Sequence, residues 1–87
     1  MRFRIIHDQR TLRKDIEKIP PANRIQIQRA ITERLMVDPI GLGKPLTGDF
    51  KGLYRLRIGD WRVIYKVEGY DVIIRTIKNR RDAYKGT

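Results

Sequence analysis

Apolar and charged residues alternate most regularly between positions 54 and 67. Tyr54, Leu56 and Ile58 alternate with Arg55 and Arg57, the period of a strand buried on one face. Gly59-Asp60 interrupts the run. A Gly-X pair suits a type II′ hairpin, because glycine accepts positive φ at the first turn position. On the returning strand Trp61, Val63, Tyr65 and Val67 alternate with Arg62, Ile64 and Lys66. With Ile58 and Trp61 flanking the turn, Arg57 faces Arg62 and Arg55 faces Ile64, so Arg55, Arg57 and Arg62 share one side. Like charges paired across strands destabilise a sheet, whereas guanidinium groups clustered on rigid strands suit a bound polyanion. The hairpin alone also leaves open a merely solubilising face.

The flanking patterns supply the other elements. Arg2 to His7 reads as a first strand, with Phe3 and Ile5 on one side and Ile6 on the other. Leu12, Ile16 and Ile19 recur at helical spacing, predicting a short amphipathic helix over Thr11–Lys18 that Asp8 or Thr11 can cap. Pro20-Pro21 stops it, and Pro21 can open the next helix. That second helix runs from about Ala22 to Val37, with Ile27, Ala30, Ile31 and Leu35 as its buried stripe and Arg24, Gln28 and Arg29 solvated. The short link predicts an antiparallel helical hairpin.

Asp38-Pro39 ends the second helix, and residues 40–52 form a Gly- and Pro-rich loop without phosphate-cradle spacing. A final strand runs from Asp71 to about Asn79. Its register stays open: a three-residue Glu68-Gly69-Tyr70 connection pairs Val67 with Asp71 and sets Arg62 opposite Thr76, and a shorter loop shifts these partners. The order β-α-α-β-β-β gives an α+β fold, a small antiparallel-rich sheet with a helical hairpin packed on one face.

Composition narrows the chemistry. Eighty-seven residues allow a single domain, 1–87, with one small core. There is no cysteine, hence no disulfide framework, thiol nucleophile or Cys-type zinc site. There is no serine either, which excludes a serine triad. The carboxylates are scattered without metal-ligand or glycosidase-like spacing, and no cofactor is expected. His7, the single histidine, reads as structural. Neither a signal-peptide core nor a membrane-length apolar run occurs, so a cytoplasmic protein without a membrane partner is the simplest reading. Twenty Lys and Arg against ten Asp and Glu give a formal charge of +10, which in so small a domain calls for an anionic partner.

The block Gly52-Leu53-Tyr54-Arg55-Leu56-Arg57-Ile58-Gly59-Asp60-Trp61-Arg62-Val63-Ile64-Tyr65, followed by Lys78-Asn79-Arg80-Arg81-Asp82-Ala83-Tyr84, resembles the RelE/ParE toxin superfamily, and the flanking element order extends the resemblance over essentially the whole chain. The resemblance implies a toxin of a type II toxin–antitoxin system. In its RelE form, such a toxin enters the ribosomal A site and cleaves mRNA by attack of the RNA's own 2′-OH on the adjacent phosphate. It implies a site made of Arg55 and Arg57 (the strand-borne basic pair), Arg62 (phosphate contact), Arg80 (after the last strand) and Tyr84 (terminal tyrosine). Lys51, Lys66, Arg75, Lys78, Arg81 and Lys85 would widen the footprint on mRNA or ribosomal RNA.

Two departures bear on mechanism. Arginine at 55 and 57, where relatives can carry lysine, is permanently protonated and cannot serve as a base. Asn79 stands where many relatives have histidine, so Tyr84, Lys78, Lys51, water or a ribosomal group remain as base candidates. The resemblance also allows a ParE-type gyrase inhibitor, which the full Arg/Tyr set counts against, or a degenerate member that only binds nucleic acid or antitoxin. Each reading implies an antitoxin, with an acidic segment that wraps the basic sheet or displaces Tyr84.

Overall fold

A computed structural model describes residues 2–81, the side chains of Thr11 and Leu12 excepted. Tyr84 and Lys85 lie outside the described residues. The chain forms β1 (Arg4–His7), α1 (Gln9–Glu17), α2 (Pro21–Ala30), a π-helical turn (Ile31–Leu35), α3 (Pro39–Leu42), β2 (Lys44–Pro45), a 3₁₀ turn (Gly48–Phe50), β3 (Tyr54–Ile58), β4 (Trp61–Glu68) and β5 (Asp71–Asn79). The five strands are ordered β1-β5-β4-β3-β2, with β1 parallel to β5 and the other neighbours antiparallel.

The helices cover one face of this sheet. Ile27, Ala30, Ile31 and Leu35, the stripe read from the sequence, are all buried against Leu56, Ile58, Val63, Tyr65, Val72, Ile74 and Ile77. Phe3, Ile5, Ile16 and Trp61 pack around this cluster. Asp8 is the α1 cap, accepting from the Arg10 N–H at 3.1 Å. Each long helix has its main contact with a different strand, α1 with β5 and α2 with β3. Arg24, expected to be solvated, donates from Nε to the Ile19 carbonyl at 2.8 Å and braces the link between α1 and α2.

The predicted hairpin register is the observed one, with Arg57 opposite Arg62, Arg55 opposite Ile64 and Ile58 opposite Trp61. Gly59 has φ 58° and no non-glycine residue described has positive φ, as a type II′ turn requires.

Further features depart from the sequence reading. The second helix does not run uniformly to Val37 but widens into a π turn at Ile31–Leu35, which keeps both Ile31 and Leu35 buried. The 40–52 loop contributes a short edge strand, Lys44–Pro45, paired with Arg55 and Tyr54. The β4–β5 connection holds two residues, Gly69-Tyr70, so Glu68 pairs with Asp71. A bulge then makes Arg75 an extra residue, and Arg62 faces Lys78 in place of Thr76.

On the helix side, Tyr65 is fully buried and stacks on Tyr54, with ring centroids 5.6 Å apart. Its hydroxyl donates to the Pro39 carbonyl at 2.5 Å, tying α3 to the sheet. Burial raises its pKa well above tyrosine's ordinary value, with Tyr54 and Asp38 adding to the shift. Gly43 passes so close that a Cβ there would sit 1.7 Å from the Tyr65 hydroxyl oxygen.

Candidate nucleic-acid interface

Strand pairing sorts the residues of the sheet face turned away from the hydrophobic core into four rows. Nearest the Gly59-Asp60 turn lie Arg57, Arg62 and Lys78, directly opposite one another on β3, β4 and β5. The next row is Lys44, Arg55, Ile64 and Thr76. Then come Lys66, Ile73 and Ile6, and finally Glu68, Asp71 and Arg4. Charge is therefore segregated along the strands. Cations crowd the turn end, and the carboxylates that the strands themselves carry on this face, Glu68 and Asp71, stand at the far end. There they are neutralised locally: Asp71 takes a two-point contact from Arg4 at 2.9 and 3.2 Å, and Glu68 pairs with Lys66 at 2.7 Å. The contact with Asp71 also raises the Arg4 pKa.

Arg62 differs from its neighbours in being buried, at 8% exposure. Its Nη1 donates to the Gly59 carbonyl at 2.8 Å and the Trp61 carbonyl at 3.0 Å. The guanidinium is thereby fixed over the hairpin turn before any ligand arrives. Arg57 is exposed and Arg55 half-buried. Neighbouring strands lie ~4.8 Å apart, so the first row spreads three cationic stems over roughly 10 Å, within reach of consecutive phosphates.

Lys78 is held from the side. Asp15 of α1, only 8% exposed, lies 3.5 Å from the Lys78 Nζ. The same carboxylate accepts from the Thr76 hydroxyl and from the Ile77 N–H at 3.3 Å. β1 pairs with β5 only as far as Ile74, so beyond that point Asp15 takes the place of a strand partner and satisfies the exposed edge.

The other expected cations are dispersed. Arg80 follows β5 beside the hairpin turn, its N–H donating to the Asp60 carbonyl at 2.7 Å and its Nε 3.9 Å from the Asp60 carboxylate. The Arg81 N–H bonds the Asn79 side chain at 3.2 Å. Arg75, the bulge residue, lies 3.7 Å from Asp8. Lys51 precedes β3, at the end of the sheet away from the turn. Of the lysines considered as proton acceptors, only Lys78 stands in the arginine row.

Sequence reasoning missed Lys44, Arg34 and Asp15. Lys44 enters the second row through a strand of two residues, too short for any periodicity. Arg34 reaches the Arg57 carbonyl from the π turn at 3.4 Å. Asp15 interrupts an apolar stripe, the one signal that could have flagged it.

A family model described as "ParE toxin of type II toxin-antitoxin system, parDE" matches residues 5–84. The chain belongs to the RelE/ParE toxin superfamily. This RelE-like toxin is 39% identical over 90 residues to a putative toxin RelE1 of Methanocaldococcus jannaschii, covering 98% of each chain. It is 30% identical over 77 residues to toxin RelG of Mycobacterium tuberculosis, covering 86% of this chain and 88% of that one. Among solved structures, the toxin–antitoxin complex RelBE2 from Mycobacterium tuberculosis contains a chain that superposes with a TM-score of 0.85 at 24% identity. That match spans 92% of this toxin and 100% of that chain, a likeness of fold.

Among the described residues of this toxin, no group of His, Cys, Asp or Glu could hold a metal ion. No described helix is long and apolar enough to cross a membrane.

Proposed function

We propose that this toxin is a ribosome-dependent endoribonuclease that cleaves mRNA in the A site and arrests translation. The observation that carries this reading is the row Arg57–Arg62–Lys78, backed by Arg55 in the next row and by Arg80 beside the hairpin turn. In the reaction, the 2′-oxygen of one nucleotide bonds to the adjacent phosphorus and the P–O5′ bond breaks. The products are a 2′,3′-cyclic phosphate and a 5′-hydroxyl. The 2′-OH gives up a proton and the 5′-oxygen gains one. Negative charge builds on the non-bridging oxygens as the new bond forms, and guanidinium groups already in place stabilise it more than they stabilise the ground state.

Arg62 is assigned the reacting phosphate, because its orientation is set by the turn carbonyls before binding. Arg55 and Arg57 flank it, Arg80 closes the turn end, and Tyr84 stacks on a base or takes part in proton transfer. Lys51, Lys66, Lys78, Arg75, Arg81 and Lys85 supply the wider footprint on mRNA and ribosomal RNA. The arginines cannot act as bases, so catalysis rests first on positioning and charge stabilisation.

The proposed protein partner is a cognate antitoxin whose acidic segment covers the cationic rows, with charge complementarity setting the encounter. The RelBE2 structure, a complex of toxin with antitoxin, supports this reading.

Primer extension on a defined mRNA, with and without programmed ribosomes, tests the proposal. Cleavage confined to ribosome-bound message at A-site positions is the expected result, and its absence overturns the reading. The match to a ParE family model favours a second reading, a non-enzymatic gyrase inhibitor. Loss of gyrase supercoiling in the toxin's presence, without mRNA cleavage, would select it.

A further inference from the structure

The outer edge of β3 carries two cations that the row Arg57–Arg62–Lys78 does not use. β2 covers β3 only at Tyr54 and Arg55. Within that short pairing, Lys44 falls opposite Arg55, on the same face as the cationic row, and is exposed. Past the end of β2, Arg34 approaches from the helix side and donates from Nη1 to the Arg57 carbonyl at 3.4 Å.

Each cation is brought there by a specific piece of the fold. The Tyr65 hydroxyl anchors Pro39, Gly43 fits beneath that hydroxyl, and the Leu46 N–H bonds the Leu53 carbonyl at 2.9 Å. Together these lay the Lys44 segment along β3. The π turn brings Arg34 to the Arg57 backbone. Pro45 removes a backbone donor from β2, so this edge is poorly suited to accept a further strand. What it offers a ligand is side-chain charge.

We propose that Lys44 and Arg34 form a second phosphate subsite at the β3 edge, which holds single-stranded RNA next to the Arg57–Arg62–Lys78 row. The proposal rests on the reading of the cationic sheet face as an RNA site. A strand of RNA then crosses the β-strands, from Lys78 through Arg62 and Arg57, and leaves over β3 between Lys44 and Arg34. The subsite contributes to binding and takes no part in bond breaking. Each nucleotide carries one charge, and each phosphate neutralised releases counterions, so the edge makes binding tighter and more salt-dependent.

The test is the affinity of a fluorescent 12-nucleotide single-stranded RNA for the purified toxin over a salt series, without ribosomes. The double variant K44Q/R34Q should bind roughly tenfold more weakly at low salt, with a log–log salt slope shallower by about 1.4. The double variant R13Q/K14Q removes the same charge from exposed positions of α1 and should bind nearly as the unaltered toxin does. Equal weakening in both variants would reduce the effect to net charge and overturn the subsite. Unchanged RNA binding in K44Q/R34Q, with weakened binding of poly-glutamate, would assign the edge to an acidic protein and equally overturn it. No RNA binding by the unaltered toxin overturns it as well, while primer extension on ribosomes reports separately on cleavage.

Discussion

Arg62 and Lys78 stand directly opposite each other on β4 and β5 because Arg75 is bulged out of the pairing between them. From the Glu68–Asp71 pair at the turn, an unbroken ladder would set Ile77 opposite Arg62 and swing Lys78 to the helix side. The one-residue bulge reverses that parity. It buries Ile77 in the core and delivers Lys78 to the cationic row. Asp15 then secures the segment after the bulge through Thr76, Ile77 and Lys78.

Replacing Asp15 by Ala should therefore destabilise the toxin by about 1–3 kcal/mol, since the buried Ile77 N–H loses its acceptor. Hydrogen exchange read residue by residue should show the Ile77 amide losing protection more than Val72, deep in the same strand. An unchanged Ile77 exchange rate would show that Asp15 does not hold this edge.

Arg57 and Arg62 should separate in their effect on stability although both serve the same row. Arg62→Ala removes a buried donor from the Gly59 and Trp61 carbonyls and should cost about 1–3 kcal/mol. Arg57→Ala relieves a like-charge pair at an exposed position and should stay within about 0.5 kcal/mol of the unaltered toxin, or gain slightly. Both should cut mRNA cleavage at least ~100-fold if each stabilises the developing charge. Urea unfolding alongside primer extension checks the two halves independently.

Tyr65 makes the fold sensitive to alkali. Its pKa is raised in the folded state, so its contribution is intact below the unfolded value of about 10 and is lost as pH climbs from there towards the folded value. Across that window stability should fall by up to about 1.4 kcal/mol per pH unit from this group. Tyr65→Phe should lose about 1 kcal/mol at neutral pH through the missing bond to Pro39 and show a shallower alkaline decline. Parallel stability–pH curves for the two proteins would refute this.

Gly43→Ala tests the same junction by crowding. The backbone at Gly43 is ordinary for any residue, φ −95°, so the cost is steric and comes from the Tyr65 hydroxyl. A loss of about 1–3 kcal/mol is expected. Part of it should be recovered in a Tyr65→Phe background, which thermal unfolding of the four proteins in the cycle would measure.

By itself the sequence determined whatever depends on neighbours along the chain. A period of two, a Gly-X turn and flanking Ile58 and Trp61 set the β3–β4 register, and with it the shared face of Arg55, Arg57 and Arg62. The helical stripe of Ile27, Ala30, Ile31 and Leu35 and the strand Asp71–Asn79 were legible for the same reason. Tertiary structure decided what depends on partners far apart in the chain. The β5 bulge, which gives Arg62 its neighbour Lys78, follows from matching two strands whose apolar positions fall out of phase. Lys44 joins the face only because β3 has an edge for two residues to pair with, and Arg34 only because the helix widens over the core. Asp15 shows the limit most plainly: on α1 it is one of two acids, and only β5 packed beside it makes it the partner of Thr76, Ile77 and Lys78.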